Sequence, residues 1–225
     1  MEILSPRKIN LPPLSIMVSV QGSFEFTDPI HDVTMTKSIT TLSMGQMGPN
    51  NPNLNSPDRP TEEQVRIFGG MQALIKSCVD NAEDIKERIH TIILERTIPK
   101  SKEERVTLMK MDFMAVKQWF MNDVRSSKIY QDFSEFNSTK KLKPFSKAFH
   151  TFILDRNKYT HGQLCFNSPS FDYILEYIET SEQQKEYAHI DIEILKSYNL
   201  CYKEILKVIT EYYIIHQNRL TKSKT

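Results

Sequence analysis

The side chains of this 225-residue chain best suited to chemistry fall in one run, Arg156-Asn157-Lys158-Tyr159-Thr160-His161, followed by Gly162. An imidazole titrates near neutral pH, so it can take a proton from a nucleophile or give one to a leaving oxygen. A guanidinium stays charged and can hold two non-bridging phosphate oxygens at once, stabilising charge that builds up in a transition state. Together they suit metal-free cleavage of RNA, in which the 2′-hydroxyl attacks the adjacent phosphate. His161 is the candidate acid or base, Arg156 the candidate phosphate clamp and Asn157 the candidate orienter. On a regular helix, positions five apart stand about 140° from one another, so Arg156 and His161 do not share a narrow face. Three arrangements remain open. The arginine reaches round the helix, the helix is distorted near Gly162, or the two residues meet their counterparts across the two-fold axis of a dimer.

Charge is uneven around this run. The chain as a whole carries a formal +1, which excludes a strongly basic nucleic-acid coat, yet residues 139–158 hold Lys140, Lys141, Lys143, Lys147, Arg156 and Lys158 against Asp155 alone. The five lysines are candidate RNA-binding residues. Other constellations lack their parts: no GxxxxGK[ST] phosphate loop, GxGxxG, CxxC, HExxH or GxSxG is present. No cofactor is expected. His31-Asp32 and His189-x-Asp191 place two metal-ligand types close together, but neither acquires a third by local spacing, so no metal is expected either.

The elements that must position the run read as helices. Thr61 with Gln64 forms a capping box, and Val65, Phe68, Ile75, Val79, Ala82, Ile85, Ile89 and Ile92 keep helical spacing to about Arg96, with Pro99 beyond. Gly69-Gly70 weakens the first turns and would allow close approach of a neighbouring helix. Ser101 with Glu104 opens a second helix, to about Ser126. After a polar connection from Ser134 to Lys143, Pro144 starts a third, whose stripe of Phe145, Phe149, Phe152 and Ile153 leads to Arg156. Asn167-Ser168-Pro169 opens a short fourth with Tyr173, Ile174, Tyr177 and Ile178 inward, and a long last helix spans about Glu182 to Asn218. Glu83, Glu87 and Asp123 are candidates to steady Arg156. Before the helices, residues 14–42 alternate with a period of two, and residues 45–60 are dense in Gly, Pro, Asn and Ser. The expected architecture is all-α, a four- or five-helix bundle over residues 61–225, with a β-prone arm or hairpin over 1–44 and a flexible linker over 45–60.

With those elements in place, Arg156-Asn157-x-x-x-His161-Gly162 resembles the signature of HEPN domains, helical bundles marked by an Arg, four to six residues and a His, with a polar residue directly after the Arg. The resemblance implies a bundle of four or five helices, a homodimer, and a composite cleft where the Arg and His of both subunits converge. It further implies a metal-independent endoribonuclease from a toxin-antitoxin or anti-phage defence system, with an antitoxin or defence-system protein as partner. A different class of function is an interaction protein without catalysis, a helical bundle that binds a protein partner or a nucleotide.

A cytoplasmic protein is expected. Cys78, Cys165 and Cys201 are odd in number and widely spaced, which suits free thiols in a reducing compartment. The first twenty residues contain no continuous apolar stretch of the kind a secretion signal needs, and no run approaches the roughly 18 apolar residues of a membrane span.

Overall fold

Tyr173-Ile174-Leu175 has no polar residue to interrupt it, and the reason is visible in the fold: it lies on the central strand of a five-stranded sheet. Adjacent strand residues point to opposite faces, and Ile174 and Leu175 are both fully buried, so both faces are covered there. The computed structural model describes residues 3–9, 14–16, 20–28, 33–41, 61–97, 100–168, 171–178 and 184–222. The elements are β1 (Arg7–Ile9), β2 (Leu14–Ile16), β3 (Val20–Asp28), β4 (Val33–Thr41), α1 (Glu62–Thr97), α2 (Lys102–Met109), α3 (Phe113–Ser126), α4 (Thr139–His161), β5 (Gln163–Ser168), β6 (Asp172–Ile178), β7 (Lys185–His189) and α5 (Ile192–Lys222). A 3-10 turn, Ile129–Asp132, follows α3.

The all-α expectation is therefore overturned: the chain is helix-rich but mixed, with antiparallel strands in the order β1-β7-β6-β5-β2 and a separate β3-β4 pair. The expected fourth helix is strand β6, paired with β5 and β7. Tyr173, Ile174, Tyr177 and Ile178 satisfy helical spacing, but their aromatic and β-branched side chains favour a pleated surface, and a run buried on both faces carries no alternation to betray it. The last helix begins ten residues later than expected. Lys185–His189 pairs with β6 and with β1, and Asp191 starts the helix by accepting a hydrogen bond at Oδ1 from the Ile194 amide, 2.8 Å. The second expected helix is two, because Asp112 caps a new one by accepting from the Ala115 amide at 2.7 Å. The third begins at Thr139, which leaves Pro144 in its second turn. The expected linker over 45–60, together with His31-Asp32 and Pro99, lies outside the described residues.

Two compact units are present, one of Met1–Ile3, Asp80–Leu154 and Tyr198–Thr225, the other of Leu4–Val79 and Asp155–Ser197. The first is helical. Its core joins Ile85, Ile89 and Ile93 of α1, Val116, Phe120 and Val124 of α3, Phe145, Phe149 and Phe152 of α4, and Tyr198, Ile205 and Tyr212 of α5, all essentially inaccessible. Phe152 stacks on Tyr198 at 4.2 Å and Phe120 meets Tyr212 edge-on at 5.1 Å. Each such aromatic ring contributes about 2–3 kcal/mol by burial, more than any exposed ion pair of the chain can.

The second unit contains the sheet. Phe68 of α1 stacks on Phe166 of β5 at 4.8 Å, and Met71, Leu74, Leu175 and Leu195 complete its core with Tyr159. The N-terminal segment is tied down at several points. The Leu4 amide donates to Ser197 Oγ at 2.9 Å, Ser5 Oγ donates to Asp155 Oδ2 at 2.5 Å, and Lys8 pairs with Glu186 at 2.7 Å. Cys78, Cys165 and Cys201 are buried, and burial pushes the Cys165 thiol up to about 11.

Candidate functional site

Arg156, Asn157 and His161 occupy the last two turns of α4, within the sheet unit. Two buried neighbours hold those turns. Asp155, 1% exposed, accepts from Ser5 Oγ and, at Oδ1, from Lys158 Nζ at 2.8 Å. Tyr159 is buried as well, and that burial, reinforced by Cys78, Asp155 and Asp191, holds its phenol well above the ordinary tyrosine value. With 155 and 159 turned inward, helical geometry turns 157 and 161 outward, and both are exposed.

Asn157 and His161 are four apart, so they stand about 40° from one another on one face, roughly 5–6 Å apart at Cβ. Arg156 starts about 100° from Asn157 around the helix, and its Nη1 donates to Asn157 Oδ1 at 3.1 Å. The guanidinium is thus bonded to a residue of the face that carries His161. The helix then ends against the sheet. A Cβ on Gly162 would run into the Lys158 carbonyl oxygen and lie 3.0 Å from Leu175 Cδ1, so this glycine is required by close approach. Gly70, by contrast, has nothing near the position of an added Cβ among the described residues.

No family model, curated protein or solved structure matches this chain. The site therefore rests on its own geometry. Of the five lysines, Lys158 is engaged by Asp155 and lies 5.9 Å from the centroid of the Tyr177 ring, while Lys140, Lys141, Lys143 and Lys147 are exposed on the part of α4 that belongs to the helical unit. Among the described residues no cluster of three or more His, Cys, Asp or Glu could hold a metal, and no helix is long and apolar enough to cross a membrane. His189 Nε2 and Asp191 Oδ2 approach to 3.5 Å, but Asp191 also caps α5.

Sequence reasoning missed Asp155 and Ser5 as supports, since nothing local links positions 150 residues apart. It also missed a polar network in the helical unit. Tyr212 donates its hydroxyl to Asp123 Oδ2, Arg96 Nη2 donates to Asp123 Oδ1 at 2.9 Å, and Arg96 Nη1 donates to His216 Nδ1 at 2.6 Å. Asp123 thus serves Arg96 and Tyr212. Burial, then the bond to Asp123, pushes the Tyr212 phenol far up, whereas burial and the Arg96 charge push the His216 imidazole down.

Proposed function

We propose that this chain is a metal-independent endoribonuclease of the HEPN type, acting on RNA in the cytoplasm as a homodimer, in a toxin-antitoxin or anti-phage defence setting. The observation that supports the reading is the hydrogen bond from Arg156 to Asn157, which tethers a guanidinium to the exposed face that carries His161. In the proposed reaction the RNA 2′-oxygen bonds to the adjacent phosphorus, the bond from phosphorus to the 5′-oxygen breaks, and the products are a 2′,3′-cyclic phosphate and a 5′-hydroxyl. One imidazole removes the 2′-proton or supplies the proton to the 5′-oxygen, and two-fold pairing of subunits would supply the second. Arg156 neutralises charge on the non-bridging oxygens, and Asn157 holds Arg156 in place.

The test is incubation of the full chain with single-stranded RNA in EDTA, with the 2′-deoxy oligonucleotide as control. His161→Ala and Arg156→Ala should each lower the rate by about 10²-fold or more, the usual size of an acid-base contribution. Asn157→Ala should lose less, since it removes only the tether. Equal cleavage by wild type and His161→Ala, or none by wild type, would refute the reading.

A second reading, an interaction protein without catalysis, is favoured by an open apolar groove of about 660 Å³ along α5, lined by Leu206, Ile214 and Ile215 among others. Wild-type protein that fails to cleave but retains a partner through that groove would select it.

A further inference from the structure

Residues 139–154 of α4 contain four lysines and no acid, a local +4 in a chain whose total is +1. Leu142, Phe145, Phe149 and Phe152 are buried, which fixes the face turned to solvent. At about 100° per residue, Lys140, Lys143, Lys147 and His150 fall within an arc of about 80° on that face. All four are exposed. Lys141 stands about 100° from Lys140 and donates to Asn137 Oδ1 at 3.2 Å.

Some exposed lysines have acidic partners, Lys8 with Glu186, Lys185 with Glu176, Lys196 with Glu193 and Lys207 with Glu135, while others, such as Lys76, Lys110 and Lys203, have none among the described residues. Lys140, Lys143 and Lys147 also have none among the described residues, and they differ in lying together on one face of one helix. Like charges three and four apart destabilise a helix, so a face that gathers them without counter-charges is weakened unless something external neutralises it. His150 joins them with its Nδ1 turned to Met114 Sδ, 3.2 Å away.

We propose that Lys140, Lys143, Lys147 and His150 form a track for the phosphodiester backbone of single-stranded RNA. The three lysine charges recur about once per helical turn, roughly 5.4 Å apart, over about 10 Å, with the His150 ring one turn further on, which suits a linear polyanion rather than a single small anion. Lysine contacts phosphate as a point charge, so binding here is independent of base sequence. An anionic membrane is the weaker fit. A helix lying on a bilayer inserts apolar side chains beside its cations, whereas the apolar face of α4 is already buried in the core. The choice of RNA as occupant rests on the cleavage reading given above.

The decisive measurement is fluorescence anisotropy of a 2′-deoxy oligonucleotide, which is not cleaved, against wild type and the K140Q/K143Q/K147Q variant of the full chain over a range of salt. Each phosphate contact on a single strand contributes about 0.7 to the slope of log K against log salt. Three lost contacts should therefore reduce the slope by about 2 and weaken binding by about 50-fold near 0.15 M salt. The same substitutions at Lys196, Lys203 and Lys207 should leave both quantities nearly unchanged. Unaltered slope and affinity in the first variant would overturn the track, as would binding of phosphatidylserine vesicles with no binding of the oligonucleotide. If wild type binds along this face but does not cleave RNA, the cleavage reading fails and the track stands; if it cleaves while the variant binds unchanged, the track fails and cleavage stands.

Discussion

Asp155 and Lys158 form an ion pair whose two ends differ in environment, and that difference predicts unequal costs. Asp155 is 1% exposed and Lys158 26%. Lys158→Met leaves a carboxylate inside the protein with the Ser5 hydroxyl as its remaining donor among the described residues. Removing one partner of a buried pair costs about 3–5 kcal/mol, and the partial exposure of Lys158 puts the value near the lower end, about 3 kcal/mol. Asp155→Asn preserves shape and an acceptor for Ser5, and the ammonium it abandons can turn toward water. The loss is then one charge-assisted hydrogen bond, about 1.5 kcal/mol. The double variant abandons neither charge and should cost less than the two singles together. Urea unfolding at neutral pH measures all three, provided the slope with denaturant stays constant. An Asp155→Asn cost equal to or above that of Lys158→Met would refute the assignment of Asp155 as the buried anchor of this helix end.

Two glycines, one inside a helix and one just beyond a helix end, should respond in opposite directions. Gly70→Ala, inside α1 with open space around it, should stabilise by about 1 kcal/mol, and Gly162→Ala, which drives a methyl into the Lys158 carbonyl, should destabilise by about 2 kcal/mol or more. Thermal melts should separate the two by several degrees, and a neutral Gly162→Ala would contradict the close approach. Stability should also depend on pH through His216. Its folded pKa is lowered by burial and by Arg96, with Arg219 acting the same way and Asp123 and Glu95 opposing, while the unfolded chain titrates near the ordinary 6.5. Below that value the unfolded chain takes up a proton that the folded protein resists, so this contribution is complete above about 6.5 and falls as pH drops toward the folded pKa. His90, also lowered by burial, acts in the same direction. The melting temperature should therefore fall between about pH 7.5 and pH 5.5, and His216→Gln should flatten that dependence; an equal slope in the variant would show that Arg96 does not need a neutral imidazole.

What was legible in the sequence was what is written locally. The Thr61-Gln64 box forms in both directions, with the Gln64 amide donating to Thr61 Oγ1 at 3.2 Å and the Thr61 amide to Gln64 Oε1 at 2.8 Å, and α1 follows its apolar spacing to Thr97. Ser101 likewise accepts from the Glu104 amide at 3.1 Å. The sheet was not legible, for two physical reasons. On β6 both faces are buried, which removes the polar alternation that marks a half-exposed strand. On β7 the sequence Lys185-Glu186-Tyr187-Ala188-His189 contains good helix formers, and its strand character comes from pairing with β6 and from the cross-strand ion pair of Lys185 with Glu176, 2.8 Å. Those partners are distant in the chain or unrecognisable as strands themselves, so no local window contains the deciding interaction.

The same distinction bears on the Arg156 to His161 run. Five-residue spacing, read as ideal geometry, puts the two side chains on different faces, so for them to meet the arginine must reach round, the helix must be distorted, or a second subunit must supply the counterpart. Asn157 sits one residue on from Arg156, shares the His161 face by its own four-residue spacing, and accepts a hydrogen bond from Arg156 Nη1 at its amide oxygen. That bond ties the guanidinium to a residue of the His161 face. In the proposed ribonuclease a two-fold axis supplies the second imidazole, so subunit separation should abolish two-proton catalysis while leaving the Arg156–Asn157 tether intact.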